Sequence, residues 1–121
     1  MVLNIAIADK NEEYIERITS VLEGYEGMNL SVFTEENSLE EALTSREFDI
    51  LLFDQSVYDG HIEVGKKFLP IMLLEEEHGV NIQFQNYKKI RKYQRISRIY
   101  QQILELYSEV SGDFTDVAGQ K

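Results

Sequence analysis

Hydrophobic residues in the first half of the chain occur in two patterns, short continuous runs and a stretch with one every three to four positions. Residues 2–8 are apolar except for Asn4, and residues 49–54 are apolar between their two terminal aspartates, which is typical of strands buried on both faces of a sheet. Between them, residues 11–27 carry apolar side chains every three to four positions, which predicts an amphipathic helix. Those apolar positions are Tyr14, Ile15, Ile18, Val21 and Leu22. The pattern predicts a strand, a helix and a further buried strand.

Two more elements fit between the first helix and the second buried run. Residues 29–34 alternate as a strand, and residues 37–48 predict a short helix. Asn11 is the expected N-cap of the first helix, because its side chain can accept a hydrogen bond from the first turn. Asn37 or Ser38 is the expected cap of the second helix.

The second half of the chain is less regular. Residues 68–75 predict a fourth strand, residues 80–85 a weaker fifth, and residues from about 86 to 110 one long helix. The connection at 55–67 contains Gly60 and Gly65 and offers at most a turn or two of helix, and the connection at 75–79 is shorter than parallel crossovers usually are. We therefore expect the third and fourth helices of this fold to be shortened or missing.

This order of elements is typical of an α/β doubly wound protein. We predict a flavodoxin-like fold with a five-stranded parallel sheet in the order 2-1-3-4-5. The single domain should span residues 1–110, followed by a linker or disordered tail at 111–121, where Gly and Asp dominate and little can be buried.

Composition narrows the class of protein. The 121 residues include no cysteine, so neither a disulfide framework nor a cysteine metal site is expected. No apolar run is long enough to span a membrane, and the first residues lack the basic region of a signal peptide. We expect a cytoplasmic protein without direct membrane insertion.

Charge is unevenly distributed. Six of the twelve Lys and Arg residues lie between Lys88 and Arg98, while the other six face 22 acids, a net charge of −16. Such an acidic body repels nucleic acid, so we expect no nucleic-acid partner. The basic segment needs a separate explanation, and an acidic partner surface is one.

Two carboxylates end the two central predicted strands. Asp9 follows the first strand and Asp54 ends the third, and these strands are neighbours in the predicted order. Ligands of open α/β sheets bind beyond the carboxyl ends of the strands. We expect Asp9 and Asp54 to meet in one cleft there.

These segments, "IAIADKNEE", "FDILLFDQSVYDG" and "FLPIMLLEE", resemble the receiver domain of bacterial response regulators, the CheY-like fold, over about residues 1–108. The resemblance implies that paired acids after strand one hold Mg²⁺ and that the aspartate after strand three accepts a phosphoryl group. It also implies a Thr or Ser after strand four and a Lys-Pro pair after strand five.

The match to those positions is partial. Asp9 fits the first acid and Asp54 the phospho-acceptor, but Lys10 occupies the place of the second acid. Leu74 or Glu75 falls at the hydroxyl position. Asn86 is the expected occupant of the lysine position, since Lys88 and Lys89 come too late in the predicted strand.

An ammonium group at position 10 removes an Mg²⁺ ligand and adds a repelling charge. We expect Lys10 to pair with Asp9 or Asp54 in the metal's place. The pocket of Asp9, Lys10, Asp54, Glu75 and Asn86 is therefore predicted to be vestigial, with no catalytic residue, no metal, no cofactor and no enzyme activity.

Among receivers, the chain most resembles the atypical receiver at the N-terminus of pilus-assembly proteins of the TadZ/CpaE type. The shortened "LLEEEHG" connection and "IQFQNYKK", which runs into a long final helix, carry this resemblance. It implies a downstream ATPase domain after residues 111–121, and partners among pilus-assembly or secretion components.

The long helix carries too many apolar residues for one stripe. Since interfaces favour tyrosine, we expect a homodimer through the final helix and its neighbouring edge, with Tyr93, Ile96, Tyr100 and Tyr107 near its centre. The basic stretch 88–98 would then meet acids at 75–77 of the other copy. The alternative is that these side chains only cover their own core. Three functions stay open: a non-catalytic interaction domain, a working phospho-accepting receiver, and a small-ligand sensor that uses the same cleft.

Overall fold

The computed structural model of the chain describes residues 2–60, 68–76 and 79–111. Its centre is a parallel sheet of five strands in the order β2-β1-β3-β4-β5, which confirms the predicted fold and strand order. The strands are β1 (Leu3–Ala8), β2 (Met28–Phe33), β3 (Ile50–Phe53), β4 (Leu69–Leu74) and β5 (Lys88–Arg91). The α-helices of the described residues are α1 (Glu12–Leu22), α2 (Glu36–Ser45) and α3 (Ile96–Val110), with a 3₁₀ helix at Ile82–Phe84.

The two central strands end at the same level. Ala8 of β1 pairs with Phe53 of β3, and the backbone N–H of Asp54 donates to the carbonyl of Ala8 at 2.8 Å. Every residue of β3 is buried. This register sets Asp9 and Asp54 beside each other at the carboxyl edge of the sheet.

The first helix begins as its sequence predicts. The Asn11 side chain accepts a hydrogen bond from the N–H of Tyr14 at 3.1 Å, and acids occupy the first turn. The predicted caps of the second helix, Asn37 or Ser38, are wrong, because α2 begins at Glu36 and its N-cap residue, Glu35, makes no side-chain cap hydrogen bond.

Helices α1 and α3 cover one face of the sheet. Their side chains pack on the inward-facing residues of the central strands in a mainly aliphatic core. The fully buried members from the two helices are Ile18, Leu22, Ile99 and Ile103. We refer to this side of the sheet as the helical face.

In the described residues, the opposite face is covered by α2 and by aromatic residues of the connections that follow β3 and β4. Phe84 is fully buried, with its ring 5.0 Å from that of Phe53 and 4.9 Å from that of Tyr87. Tyr58 packs on Phe53 at 4.9 Å. This group of Phe53, Tyr58, Phe84 and Tyr87, the aromatic plug, covers the part of the sheet that a fourth helix would cover.

The predicted fifth strand at 80–85 is wrong. The apparent alternation there comes from Phe84, which turns inward from a 3₁₀ helix while Ile82 points outward. The strand lies later, at Lys88–Arg91, where only Ile90 is fully buried because β5 is an edge strand. The final helix accordingly begins at Ile96 rather than near residue 86.

The connections agree with the expected loss of helices where the structure describes them. Between β4 and β5, the described residues contain only the 3₁₀ helix. Residues 55–60 of the earlier connection form a turn without helix, and its remainder, 61–67, lies outside the described residues. So does the predicted tail, apart from Ser111.

Candidate functional site: a lysine-bridged pair of aspartates

Asp9 and Asp54 meet at the carboxyl edge, as predicted, and one ammonium group joins them. Lys92 Nζ lies 2.7 Å from Asp9 Oδ2 and 2.9 Å from Asp54 Oδ2. The side chains of Lys92 and Asp9 are buried, whereas that of Asp54 is 18% exposed. The arrangement is a largely buried ion triad that opens to solvent at Asp54.

The second oxygen of each carboxylate binds the chain just after it. Asp9 Oδ1 accepts from the N–H of Asn11 at 3.0 Å, and Asp54 Oδ1 accepts from the N–H of Ser56 at 2.9 Å. Lys92 donates a hydrogen bond to Asp54 and forms an ion pair with Asp9. Each aspartate thus fixes its own loop and the shared lysine.

Lys92 reaches this place because it continues the edge strand. Its N–H donates to the carbonyl of Leu74 at 3.0 Å, one step beyond β5. The Tyr14 hydroxyl donates to the Lys92 carbonyl at 3.2 Å, and the Tyr14 ring centre lies 5.1 Å from Lys92 Nζ. Tyr14 therefore supports both the backbone and the charge of the lysine.

The protonation states follow from these contacts. Burial alone raises the pKa of Asp54, but hydrogen bonds from Lys92 and Ser56 outweigh it and hold that pKa below its ordinary value. Burial likewise lowers the pKa of Lys92, but Asp54 and Asp9 outweigh it and raise that pKa. Burial raises the pKa of Tyr14 to about 12. Asp54 is charged, Lys92 protonated and Tyr14 neutral near pH 7.

Two residues predicted for this pocket lie elsewhere. Lys10 is exposed, and the ammonium group between the aspartates belongs to Lys92. Asn86 is exposed and lies two residues before β5, so it does not end that strand. The lysine position of the receiver pattern is therefore held by Lys92, a correction that follows from the misplaced fifth strand.

Glu75 lies at the rim of the pocket, as the sequence suggests. It follows β4 and accepts a hydrogen bond from the Tyr93 hydroxyl at 3.2 Å. The Tyr93 ring meets the Tyr14 ring edge-on at 5.9 Å. The rim is thus connected to Lys92 through two tyrosines.

Sequence reasoning missed Lys92 and Tyr14. Lys92 is one of six cations in a basic segment, and nothing in the composition of that segment distinguishes a buried lysine from its exposed neighbours. The signal that was available is position, since Lys92 follows a short run around the apolar Ile90 that can end a strand. Tyr14 was assigned only to the apolar stripe of α1, although a buried tyrosine needs a partner for its hydroxyl.

An open cavity of about 410 Å³ adjoins Asp54. Its lining includes Asp54, Gln55, Ser56, Glu75, Glu76 and Asn81. Gln55 closes one side, because its amide donates to the carbonyl of Gly79 at 2.8 Å and accepts from the N–H of Asn81 at 3.0 Å. Solvent therefore reaches the Asp54 carboxylate, while Asp9 stays behind Lys92.

A divalent cation has few free ligands here. Both remaining aspartates hold Lys92, and the place of the second acid carries the cation Lys10. The residues described in the structure contain no group of three or more His, Cys, Asp or Glu side chains placed to hold a metal. With a cation in place of the second acid, the carboxylate donors near Asp54 are too few, so the donor set fits Mg²⁺ poorly.

Three of the four side chains predicted for an interface pack largely against residues of their own chain. Tyr100 stacks on Tyr25 with ring centres 3.9 Å apart. Ile96 and Tyr107 are half-buried against the core of the helical face. Tyr93 is the most exposed of the four, at 53%.

The fold is that of response-regulator receivers. The receiver domain of the stress response regulator RcsB from Escherichia coli, in its non-phosphorylated form, aligns with a TM-score of 0.74 at 17% identity over 90% of this chain and 95% of that one. A CheY-like receiver domain protein from Methanospirillum hungatei aligns with a TM-score of 0.71 at 16% identity, over 93% and 99% of the two chains.

A third structure, the N-terminal domain of a response regulator/sensory box/GGDEF protein from Carboxydothermus hydrogenoformans, gives a TM-score of 0.73 at 15% identity, over 92% and 98% of the chains.

Comparison with curated protein sequences finds no match. Residues 1–108 match the family described as TadZ-like, receiver domain, and the chain belongs to this family. In the described ranges, no helix is long and apolar enough to cross a membrane.

Proposed function

We propose that this chain is a non-catalytic receiver-like domain that acts through protein–protein contacts. The observation that carries the proposal is the loss of the second acid, because Lys10 stands in its place and only Asp9 is left beside Asp54 and Lys92. The pair of acids that a receiver uses for Mg²⁺ is reduced to Asp9, which is buried and holds Lys92, and Lys10 adds a positive charge where the second acid would be. The pocket then serves as a permanent structural element rather than as a site of chemistry.

The family suggests what this domain serves. We propose that it positions a downstream ATPase of a pilus-assembly or Tad secretion system in the cytoplasm, and that it does so as a homodimer. The sequence favours a dimer centre formed by Ile96, Tyr100 and Tyr107 of α3 together with Tyr93, which precedes this helix. Of these side chains Tyr93 is the most available for such a contact.

Phosphoryl transfer provides the test of the non-catalytic role. The purified chain is incubated with acetyl phosphate and Mg²⁺, and its intact mass is measured beside that of Asp54→Asn. We expect no added phosphoryl group on either protein. A mass gain in the wild type that Asp54→Asn abolishes would overturn the proposal.

One observation favours a second function, a phospho-accepting receiver. Lys92 sits where the receiver pattern has its lysine, and Asp54 opens to the cavity of about 410 Å³. This candidate predicts the mass gain just described, and the same gain in a larger fraction of the protein for Lys10→Asp, which restores the missing acid. Lys10→Asn is the matched control, because it removes the cation without adding a ligand.

A further inference from the structure

The final helix carries its charges in the order opposite to the one that a helix favours. The amino-terminal end of a helix is partly positive and the carboxyl-terminal end partly negative, so acids are favourable in the first turn and bases in the last. Helix α3 has no acid in its first turn and no base in its last. Arg95 and Arg98 lie at its start instead, while Glu105 and Glu109 lie in its second half. A partner that supplies the opposite charges at both ends would therefore stabilise this helix.

The charges of α3 also share one side of the helix. Residues three and four positions apart are neighbours on a helix surface. The charged stripe, at alternating spacings of three and four residues, consists of Arg95, Arg98, Gln102, Glu105 and Glu109. Its four charged side chains are exposed, whereas Gln102 is half-buried and accepts a hydrogen bond from the Gln94 side chain at 2.8 Å. The stripe is thus basic at one end, neutral at its centre and acidic at the other end.

The charged stripe lies on the flank of α3 toward the edge strand. Lys88 of β5 reaches Glu109, with Nζ 3.3 Å from Oε1, and β5 is the last strand of the sheet. On the other flank of α3, Tyr100 stacks on Tyr25, which follows α1. The tyrosine flank is therefore occupied within the chain, whereas the stripe borders solvent.

An open groove of about 470 Å³ runs beside the acidic half of the stripe. Its lining includes Lys89, Gln102, Glu105, Leu106 and Glu109. The Lys89 ammonium group is bound by two backbone carbonyls, and Glu109 already holds Lys88. In the part of the chain that the structure describes, Glu105 has no ion pair. The groove suits an arginine, whose stem can pack on Leu106 while its guanidinium group meets Glu105.

A second copy of the chain supplies arginines in matching places. A two-fold axis at Gln102 sets two α3 helices antiparallel, so each position meets the one equally far beyond Gln102 on the other copy. Arg98, four residues before Gln102, then meets Glu105, three residues after it. Arg95 and Glu109 are each seven residues away and meet likewise. Neither arginine has an ion pair among the described residues, so both side chains are free to make these contacts.

We propose that the charged stripe of α3 binds the same stripe of a second copy of this chain about a two-fold axis at Gln102. The homodimer proposed above, on which this inference rests, then has its axis on the flank beside β5 rather than on the tyrosine flank. The occupant is a second copy because one stripe supplies both the arginines and the acids that receive them. Arg98 with Glu105 is the central pair, since Glu109 is shared with Lys88.

Sedimentation equilibrium of the whole chain, from micromolar to hundreds of micromolar concentration, tests the central pair. We expect the wild type to dimerise and Arg98→Glu to weaken the dimer about tenfold or more, because the change sets like charges together twice in a symmetric pair. Arg17→Glu is the matched control, since it makes the same charge change at an exposed position of α1, and it should leave the dimer unchanged. Equal weakening by both variants would contradict the proposal.

Reversal of both partners tests the two-fold geometry. Glu105→Arg should weaken the dimer as Arg98→Glu does, although the two changes shift the net charge in opposite directions. The double variant should regain most of the association, because the exchanged charges again meet across the axis. An equimolar mixture of the two single variants should also associate better than either alone. A double variant that dimerises no better than the single ones would rule out this pairing.

Thermal unfolding of the dilute, monomeric protein gives an independent readout. Arg98→Glu places an acid in the first turn of α3, where the helix dipole favours it, so the unfolding midpoint should not fall. A weaker dimer at an unchanged or higher midpoint supports a contact between copies. A lower midpoint would show that Arg98 is needed within its own chain and would overturn the proposal.

The outcomes separate this interface from the homodimer itself. If the wild type dimerises while Arg98→Glu and Glu105→Arg leave the dimer unchanged, the charged stripe is not the interface but the homodimer stands, and Tyr100→Glu then tests the tyrosine flank. A wild type that stays monomeric at hundreds of micromolar overturns both. The phosphoryl-transfer result is independent of either.

Discussion

The two faces of the sheet are covered by different means. On the helical face, α1 and α3 spread their contacts over many aliphatic residues of both helices. On the other face, the described residues beside β4 cover the sheet with the rings of Tyr58, Phe84 and Tyr87, and the fully buried Phe84 comes from a three-residue 3₁₀ helix. The contacts that bury the helical face are thus spread over many aliphatic residues, whereas those beside β4 are made by a few aromatic rings. Ile82, next to Phe84, stays exposed.

Removal of the Phe84 ring should have the largest effect on this contrast. Phe84→Ala is expected to cost about 3–5 kcal/mol in the free energy of unfolding, because it empties a fully buried site between Phe53 and Tyr87. Urea denaturation followed by circular dichroism measures this cost. Phe84→Leu, which keeps most of the apolar volume, should lose much less; an equal loss would show that the ring shape rather than burial matters.

Removal of the Lys92 ammonium group tests the ion triad at the carboxyl edge of the sheet, where both faces end. Lys92→Met keeps the length of the side chain but leaves Asp9 buried without its cation, so we expect a loss of about 3–5 kcal/mol. The double variant Lys92→Met with Asp9→Asn should recover part of it, since the uncompensated charge is removed. If the double variant is less stable than the single one, the ion pair does not account for the loss.

Low pH should reduce the contribution of the same ion triad to the free energy of unfolding. Because the folded pKa of Asp54 is lowered, its contribution to stability is present above its unfolded pKa of about 3.9 and is lost as the pH falls through the lower folded value. Unfolding free energies measured between about pH 5 and pH 2 should therefore fall more steeply for the wild type than for Asp54→Asn. Parallel pH profiles would contradict the assigned role of this carboxylate.

A small truncation on the helical face should be tolerated. Ile103→Val removes one buried methyl group from α3 and should cost only about 1 kcal/mol, because neighbouring side chains share the cover. The same denaturation assay used for Phe84→Ala measures it. A cost as large as that of Phe84→Ala would remove the contrast between distributed and concentrated cover.

The sequence was most informative where local pattern and burial coincide. The continuous apolar runs of β1 and β3, and the stripe and cap of α1, predicted those elements and the meeting of Asp9 with Asp54. The pattern failed at β5, because an edge strand buries only Ile90 among four residues and resembles a polar loop. Lys92 was missed with it, since its role depends on two aspartates more than thirty residues earlier in the chain.

Gln55 gives the molecule an internal reporter. It directly follows Asp54, and its side-chain Oε1 accepts a hydrogen bond from the backbone N–H of Asn81, 26 residues later. An amide proton held in this way exchanges slowly with solvent only while the grip persists. The exchange rate and the nuclear magnetic resonance shift of Asn81 should therefore report any displacement of the third strand end, without a label and without a ligand in the cleft.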